Sequence, residues 1–234
     1  MPKKKCLTCA ACGTIGCKNA NGEYPEFCLT QALDQKLLDE SLEVYDNNEQ
    51  LGTIARVSAG IEGEFYGRMT RVEETIEFIK RTGAKKVGIA TCVGLIPETR
   101  LFTKLLDREK INYYTVGCKV GAVDKTRIGI PEEKKVNHGC GHESMCNPIL
   151  QAKILNEQKT DLNIMIGLCV GHDSLFLKFV EAPTTVLIVK DRVLLHNPAA
   201  ALYGSQGMYS RFKDSKPERK AEKTAKTEEK ETNE

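Results

Sequence analysis

The 234-residue chain has almost no net charge: 34 Lys and Arg stand against 32 Asp and Glu, a formal +2. Such a balance exerts no pull toward nucleic acid or an anionic membrane surface. Its basic residues are not clustered with aromatics in the manner of a nucleic-acid footprint. No stretch of ~18 apolar residues is present, so no bilayer span is expected. Met1-Pro-Lys-Lys-Lys-Cys6 is basic without an apolar segment behind it, which argues against a signal peptide and for a cytosolic protein. No G-x-G-x-x-G follows a candidate strand and no G-x-x-x-x-G-K-S/T occurs, so nucleotide binding has no motif behind it. G-x-S-x-G is also missing.

Cysteine, by contrast, is plentiful. Ten are present, five of them within the first 28 residues. In a reducing compartment such a set points to metal or thiol chemistry rather than to disulfides. Cys6-x2-Cys9-x2-Cys12-x4-Cys17 has the short gaps that let successive thiolates turn toward one ion or cluster, with Cys28 in reserve. Four thiolates suit a tetrahedral zinc or a 4Fe–4S cluster. The bacterial ferredoxin run has three residues before its last cysteine and a proline after it. Here the gap is four and Lys18 follows, so the match is partial. A thioredoxin-type Cys-x-x-Cys pair would need a preceding strand, which this segment lacks.

Four parts follow from periodicity and composition: a cysteine-rich knuckle over 1–29, a helical segment over 30–83 packed on a sheet, an α/β domain over 84–209, and a charged tail over 210–234. Leucines at helical intervals predict a helix from about Thr30 to Tyr45, and a second runs from about Glu49 to Ile61. Thr70-x-x-Glu73 reads as a capping box opening a third, closed at Gly83. Four β-branched runs then alternate with helical patterns: 86–91, 112–116, 162–168 and 184–189. This predicts an α/β fold, a parallel sheet of about four strands with helices on both faces and right-handed crossovers. The run at 184–189 has the uncharged composition of a central strand. Asp173 or Ser174 is the expected cap of the helix after the third strand. The tail has no apolar period and reads as disordered.

Three of those strands end alike. Cys92, Cys118 and Cys169 each follow an apolar run and precede a glycine: Gly94, Gly121 and Gly171. In a parallel sheet all carboxyl ends share one edge, where open α/β sheets bind ligands. Thiols there, near helix N-termini, are held toward the thiolate that binds metal. The glycines let backbone approach a bulky cluster. Any one of them could instead be an ordinary buried cysteine. The loop His138-Gly-Cys140-Gly-His142-Glu-Ser-Met-Cys146 supplies Cys140 or Cys146 as a fourth ligand. His172 lies one turn beyond Cys169, placed as ligand, proton donor or partner to a sulfur. Lys190, Asp191, Arg192 and His196 either line the same edge or form a polar turn.

The opening knuckle, Gly139-Cys140-Gly141-His142, Gly167-Leu-Cys169-Val-Gly171-His172-Asp173, Lys190-Asp191-Arg192 and His196-Asn197-Pro198 together resemble an uncharacterised bacterial and archaeal family of "metal-binding proteins" of unknown function, over residues 6–205. That resemblance implies metal binding and no defined reaction. A looser likeness of architecture is to 2-hydroxyacyl-CoA dehydratase and related reductase subunits, whose sheet-edge cysteines hold 4Fe–4S clusters. The expectation is two metal sites, Cys6/Cys9/Cys12/Cys17 and Cys92/Cys118/Cys169 with one loop cysteine. Both would hold iron–sulfur clusters serving a redox partner protein or a small molecule, in an electron-transfer protein or an iron–sulfur redox enzyme. The alternatives are a zinc-binding handler or sensor and a metal-free thiol oxidoreductase.

Overall fold

The computed structural model describes residues 7–20, 22–137 and 141–209. Cys6, His138, Cys140 and the charged tail lie outside them. The chain divides into two units, Met1–Arg68 and Met69–Glu234. The helical segment expected over 30–83 is therefore split, its last helix belonging with the sheet.

In the first unit, 3₁₀ turns at Cys9–Ala11 and Gly16–Lys18 precede α1 (Leu29–Ala32), α2 (Gln35–Asn47) and α3 (Glu49–Phe65). The single helix expected over 30–45 is two. Leu33 and Asp34 adopt extended backbone, and the Asp34 carboxylate accepts from the Lys36 amide to restart the helix. Asn48 caps α3 in the same way through Leu51 N–H. The α2 and α3 helices pack together where Gly52 meets the Tyr45 carbonyl, so closely that a Cβ would stand 2.4 Å from that oxygen.

The second unit is the α/β domain. Its first helix, α4 (Arg71–Thr82), carries the expected capping box, Thr70 accepting from Glu73 N–H while Glu73 accepts from Thr70 N–H. Then follow β1 (Val87–Thr91), α5 (Ile96–Arg108), β2 (Tyr113–Gly117), α6 (Pro148–Glu157), β3 (Leu162–Ile166), α7 (His172–Phe179), β4 (Thr184–Ile188) and α8 (Ala199–Tyr203). The sheet is wholly parallel with order β2-β1-β3-β4. The two central strands, β1 and β3, are buried at every residue. Contrary to the composition-based expectation, β4 is an edge strand and mostly half-buried. Arg71 Nε donates to the Val186 carbonyl at 2.7 Å, which covers part of that edge.

Alternation along the strands sorts the core into two faces. Val87, Ile89, Ile164 and Ile166 pack with Ile79 of α4 and Phe102 and Leu106 of α5. Ala90, Val116 and Met165 pack with Ala152 and Leu155 of α6 and Phe176 of α7. Helices thus cover both faces. No helix among the described residues is long and apolar enough to cross a membrane.

Candidate functional site

The side-chain period of two fixes where the strand-end cysteines go. Cys92 lies two residues beyond Ala90 and Cys118 two beyond Val116, so both continue the row that faces α6 and α7. Thr91 is in register with Gly117 and with Ile166, which sets Cys92 and Cys118 side by side on neighbouring strands. Cys146 precedes α6 and Cys169 precedes α7, the two helices on that face. All four thiols are free and line one crevice together with Gln151, Leu168 and His172. The crevice opens into a cavity of about 590 Å³.

The thiols are coupled. Cys118 Sγ and Cys146 Sγ are 3.7 Å apart, and the Val93 amide donates to Cys118 Sγ at 3.4 Å. Cys146 is brought down to about 7, first by its hydrogen bond with Cys118, against the opposing effect of burial. The same bond raises Cys118, and a hydrogen bond with Cys118 followed by burial raises Cys92 strongly. In the metal-free protein Cys146 is therefore held closer to the thiolate than Cys92 or Cys118. Arg192 Nη2 donates to Cys169 Sγ at 3.0 Å. Burial lowers the affinity of His172 for a second proton. Its Nδ1 is buried without a partner among the described residues, as is Oε1 of Gln151.

Two supports escaped sequence reasoning. Gln151 of α6 is fully buried, and its Nε2 donates to the carbonyls of Thr91 at 3.1 Å and Val116 at 2.8 Å. It ties together the strand ends that carry Cys92 and Cys118. The second support orders the long β2–α6 connection that delivers Cys146. Lys135, only 2% exposed, reaches Asp124 at 3.0 Å, Glu132 at 2.6 Å and the Gly141 carbonyl at 2.6 Å. Asp124 also accepts from the amides of Thr126 and Glu143, and Glu143 pairs with Lys125. Those bonds hold both carboxylates well below their usual range, Glu143 at about 2.

Of the sequence-stated candidates, Cys92, Cys118, Cys146, Cys169, His172 and Gly94 line the cavity, as do Lys190 and Arg192. Gly121 turns against Leu150 at a φ of 88° and is not in the lining. Gly171, rather than Asp173 or Ser174, occupies the cap position of α7, because its left-handed φ of 83° turns the chain there; Asp173 instead accepts from Ser174 N–H within the first turn. His142 is directed to Ser144 and Asp124, and His196 Nδ1 accepts from Asp191 N–H. In the first unit Cys9, Cys12, Cys17 and Cys28 line a separate cavity of about 120 Å³. Cys12 is lowered by the Ile15 amide and by Thr14.

Among the described residues no group of three or more His, Cys, Asp or Glu is disposed to hold a metal ion. One tetrahedral ion with metal–sulfur bonds of ~2.3 Å needs sulfurs about 3.8 Å apart, a spacing that the Cys118–Cys146 pair has. A polynuclear cluster instead takes four thiolates around its outside. In donor chemistry, four thiols with two unpartnered polar atoms beside them fit such a group.

Residues 28–187 match the family described as a protein of unknown function, DUF1847. The chain belongs to that family. The DUF1847 match encloses Cys92, Cys118, Cys146, Cys169 and His172, and its first residue is Cys28. The chain is 50% identical over 171 residues to the uncharacterized protein MJ0455 of Methanocaldococcus jannaschii, covering 73% of this chain and 83% of that relative. No solved structure matches it.

Proposed function

We propose that the DUF1847 domain of this chain is a thiolate metal-binding domain whose sheet-edge cysteines hold an iron–sulfur cluster with a redox role. The observation that carries the reading is the convergence of Cys92, Cys118, Cys146 and Cys169, from four separate segments, on one crevice. Cys146 would lose its proton most easily, and the raised thiols of Cys92 and Cys118 would lose theirs on binding. The Val93 amide and the Arg192 guanidinium donate to sulfur, the kind of contact that tunes a cluster's potential. Bound there, a cluster supplies one-electron chemistry. His172 stands ready to donate or accept a proton beside it. In the first unit Cys9, Cys12, Cys17 and Cys28 are the proposed second ligand set.

A zinc-binding handler is the second reading, favoured by the 3.7 Å Cys118–Cys146 spacing. Anaerobic purification followed by iron, acid-labile sulfide and zinc analysis separates the two. The cluster reading expects iron and sulfide in about equal amounts, near four of each per occupied site, with visible absorption bleached by dithionite. Cys118→Ser should remove one site's share and Cys17→Ser the other's. Stoichiometric zinc without sulfide establishes the second reading, and a Cys118→Ser protein with undiminished metal refutes the shared site.

A further inference from the structure

The cavity in front of the thiols is lined mainly by cations. Among the described residues its walls hold Lys119, Lys125, Lys134, Lys190 and Arg192 against a single carboxylate, Glu143. Five positive groups less one negative leave +4 in the lining when the thiols are protonated; four thiolates would offset that charge, and the positive charge of a bound metal centre would restore part of it. Some of this is already engaged: Lys125 pairs with Glu143, Lys119 donates to the Ser144 carbonyl, and Arg192 donates to Cys169. Lys134 and Lys190 form no ion pair among the described residues. Lys190 is half-buried, and its Nζ lies 3.5 Å from the point a Cβ on Gly94 would occupy, over the backbone turn that follows Cys92.

Like charges gathered in a partly enclosed space repel one another and concentrate the field of the opposite sign. They are stable together when an anion is there to be bound. These cations come from two distant parts of the chain, the β2–α6 connection and the turn after β4, so their convergence is a product of the fold. Ile128, Ile130 and Val136 supply an apolar wall between them. At about 590 Å³ the cavity falls within the ~300–1,000 Å³ of small-molecule pockets.

We propose that this cavity binds a small organic anion, a molecule carrying a carboxylate or phosphate group that Lys134, Lys190 and Arg192 recognise at the mouth of the thiol site. The inference deepens the metal reading by naming the ligand that would meet the centre, and rests on it only for what happens to that ligand afterwards.

Calorimetry on the anaerobically purified full chain at low ionic strength tests it, with malonate as the carboxylate probe, inorganic phosphate as the phosphate probe and malonamide as the neutral counterpart of malonate. The expected result is saturable binding of malonate, phosphate or both, and none of malonamide. Lys134→Gln and Lys190→Gln should each weaken it about tenfold, the worth of one charge-assisted hydrogen bond. Lys85→Gln, just before β1 at the opposite end of the sheet, should leave it unchanged. No saturable heat from either anion overturns the proposal, as does malonamide binding as well as malonate. Equal weakening by Lys85→Gln overturns it too, because the effect would then be one of overall charge. Titration of Cys118→Ser keeps the two readings apart: anion binding that survives while metal is lost, or that appears in a wild-type chain without metal, upholds the anion site and bears on the metal centre alone.

Discussion

Gln151→Met removes one donor and little else, since methionine nearly matches glutamine in length. Gln151 Nε2 serves two carbonyls, Thr91 O at 3.1 Å and Val116 O at 2.8 Å, in a position with no solvent exposure. Both carbonyls also belong to the β1–β2 ladder, so each loses one of its donors, at up to about 1.5 kcal/mol, the net worth of a hydrogen bond. Two carbonyls at about 1.5 each give about 3 kcal/mol. The unpartnered Oε1 disappears in the same substitution and returns about 1 kcal/mol, leaving a net loss of about 2. For a unit of this size that lowers the melting temperature by roughly 4–8 °C. The chemical signature is more specific. With the strand ends untied, the Cys118–Cys146 pair loses its spacing, and the alkylation midpoint of Cys146 should move from about 7 toward the ordinary thiol value of ~8.5. Leu155→Ala, from the same helix and equally buried, should cost about 2–5 kcal/mol through its cavity yet leave that midpoint in place. The assays are thermal unfolding and pH-resolved alkylation with mass-spectrometric assignment, both on reduced, metal-free protein. A Gln151→Met chain with unchanged melting and unchanged Cys146 titration would refute the tie.

Two further outcomes are expected. In the reduced, metal-free parent, iodoacetamide should label Cys146 with a rate that rises through a midpoint near 7, before Cys118 and Cys92, whose thiols are raised. Because the folded value lies below the ordinary thiol value of ~8.5, the stability this group contributes is complete above that value and is lost as pH falls through about 7. Cys118→Ala should return the midpoint toward ~8.5, and its failure to move would refute the hydrogen-bond cause. Gly167→Ala should cost about 2–4 kcal/mol in urea unfolding, since φ is 63° and the new Cβ would stand 1.9 Å from Leu95 Cδ1. Gly171→Ala, at φ 83° with open space around it, should cost only about 1–2. Equal losses would remove the steric part of the account.

What could be read from the residues was the part governed by local rules. Alternating β-branched and helical runs gave the parallel sheet, and the capping box at Thr70 lies where the spacing placed it. The recurring order of apolar run, cysteine and glycine pointed to Cys92, Cys118 and Cys169, which line one crevice. Strand order was less accessible. The uncharged composition of β4 suggested a central strand, whereas it lies at an edge where Arg71, a residue 115 positions earlier, covers a carbonyl. Gln151 and Lys135 were invisible for a similar reason. Each is a polar residue of a type usually found in water, and its burial rests on partners that no local pattern announces: distant strand ends for Gln151, and Asp124, Glu132 and the Gly141 carbonyl of one irregular connection for Lys135. The choice between Cys140 and Cys146 depended on that same irregular connection, in which Cys146 lines the crevice and Cys140 falls outside the described residues.

The two cysteine groups differ in how much chain separates their members, and this dictates the order in which they become available. Cys9 to Cys28 lie within a short stretch, so on the proposed reading an ion would close only short loops to gather them. Cys92, Cys118, Cys146 and Cys169 become neighbours only when β1, β2 and β3 are aligned and α6 and α7 have docked. On the proposed reading, a metal centre at the rim would complete its ligand set only in a domain that has already folded, behind its cationic mouth.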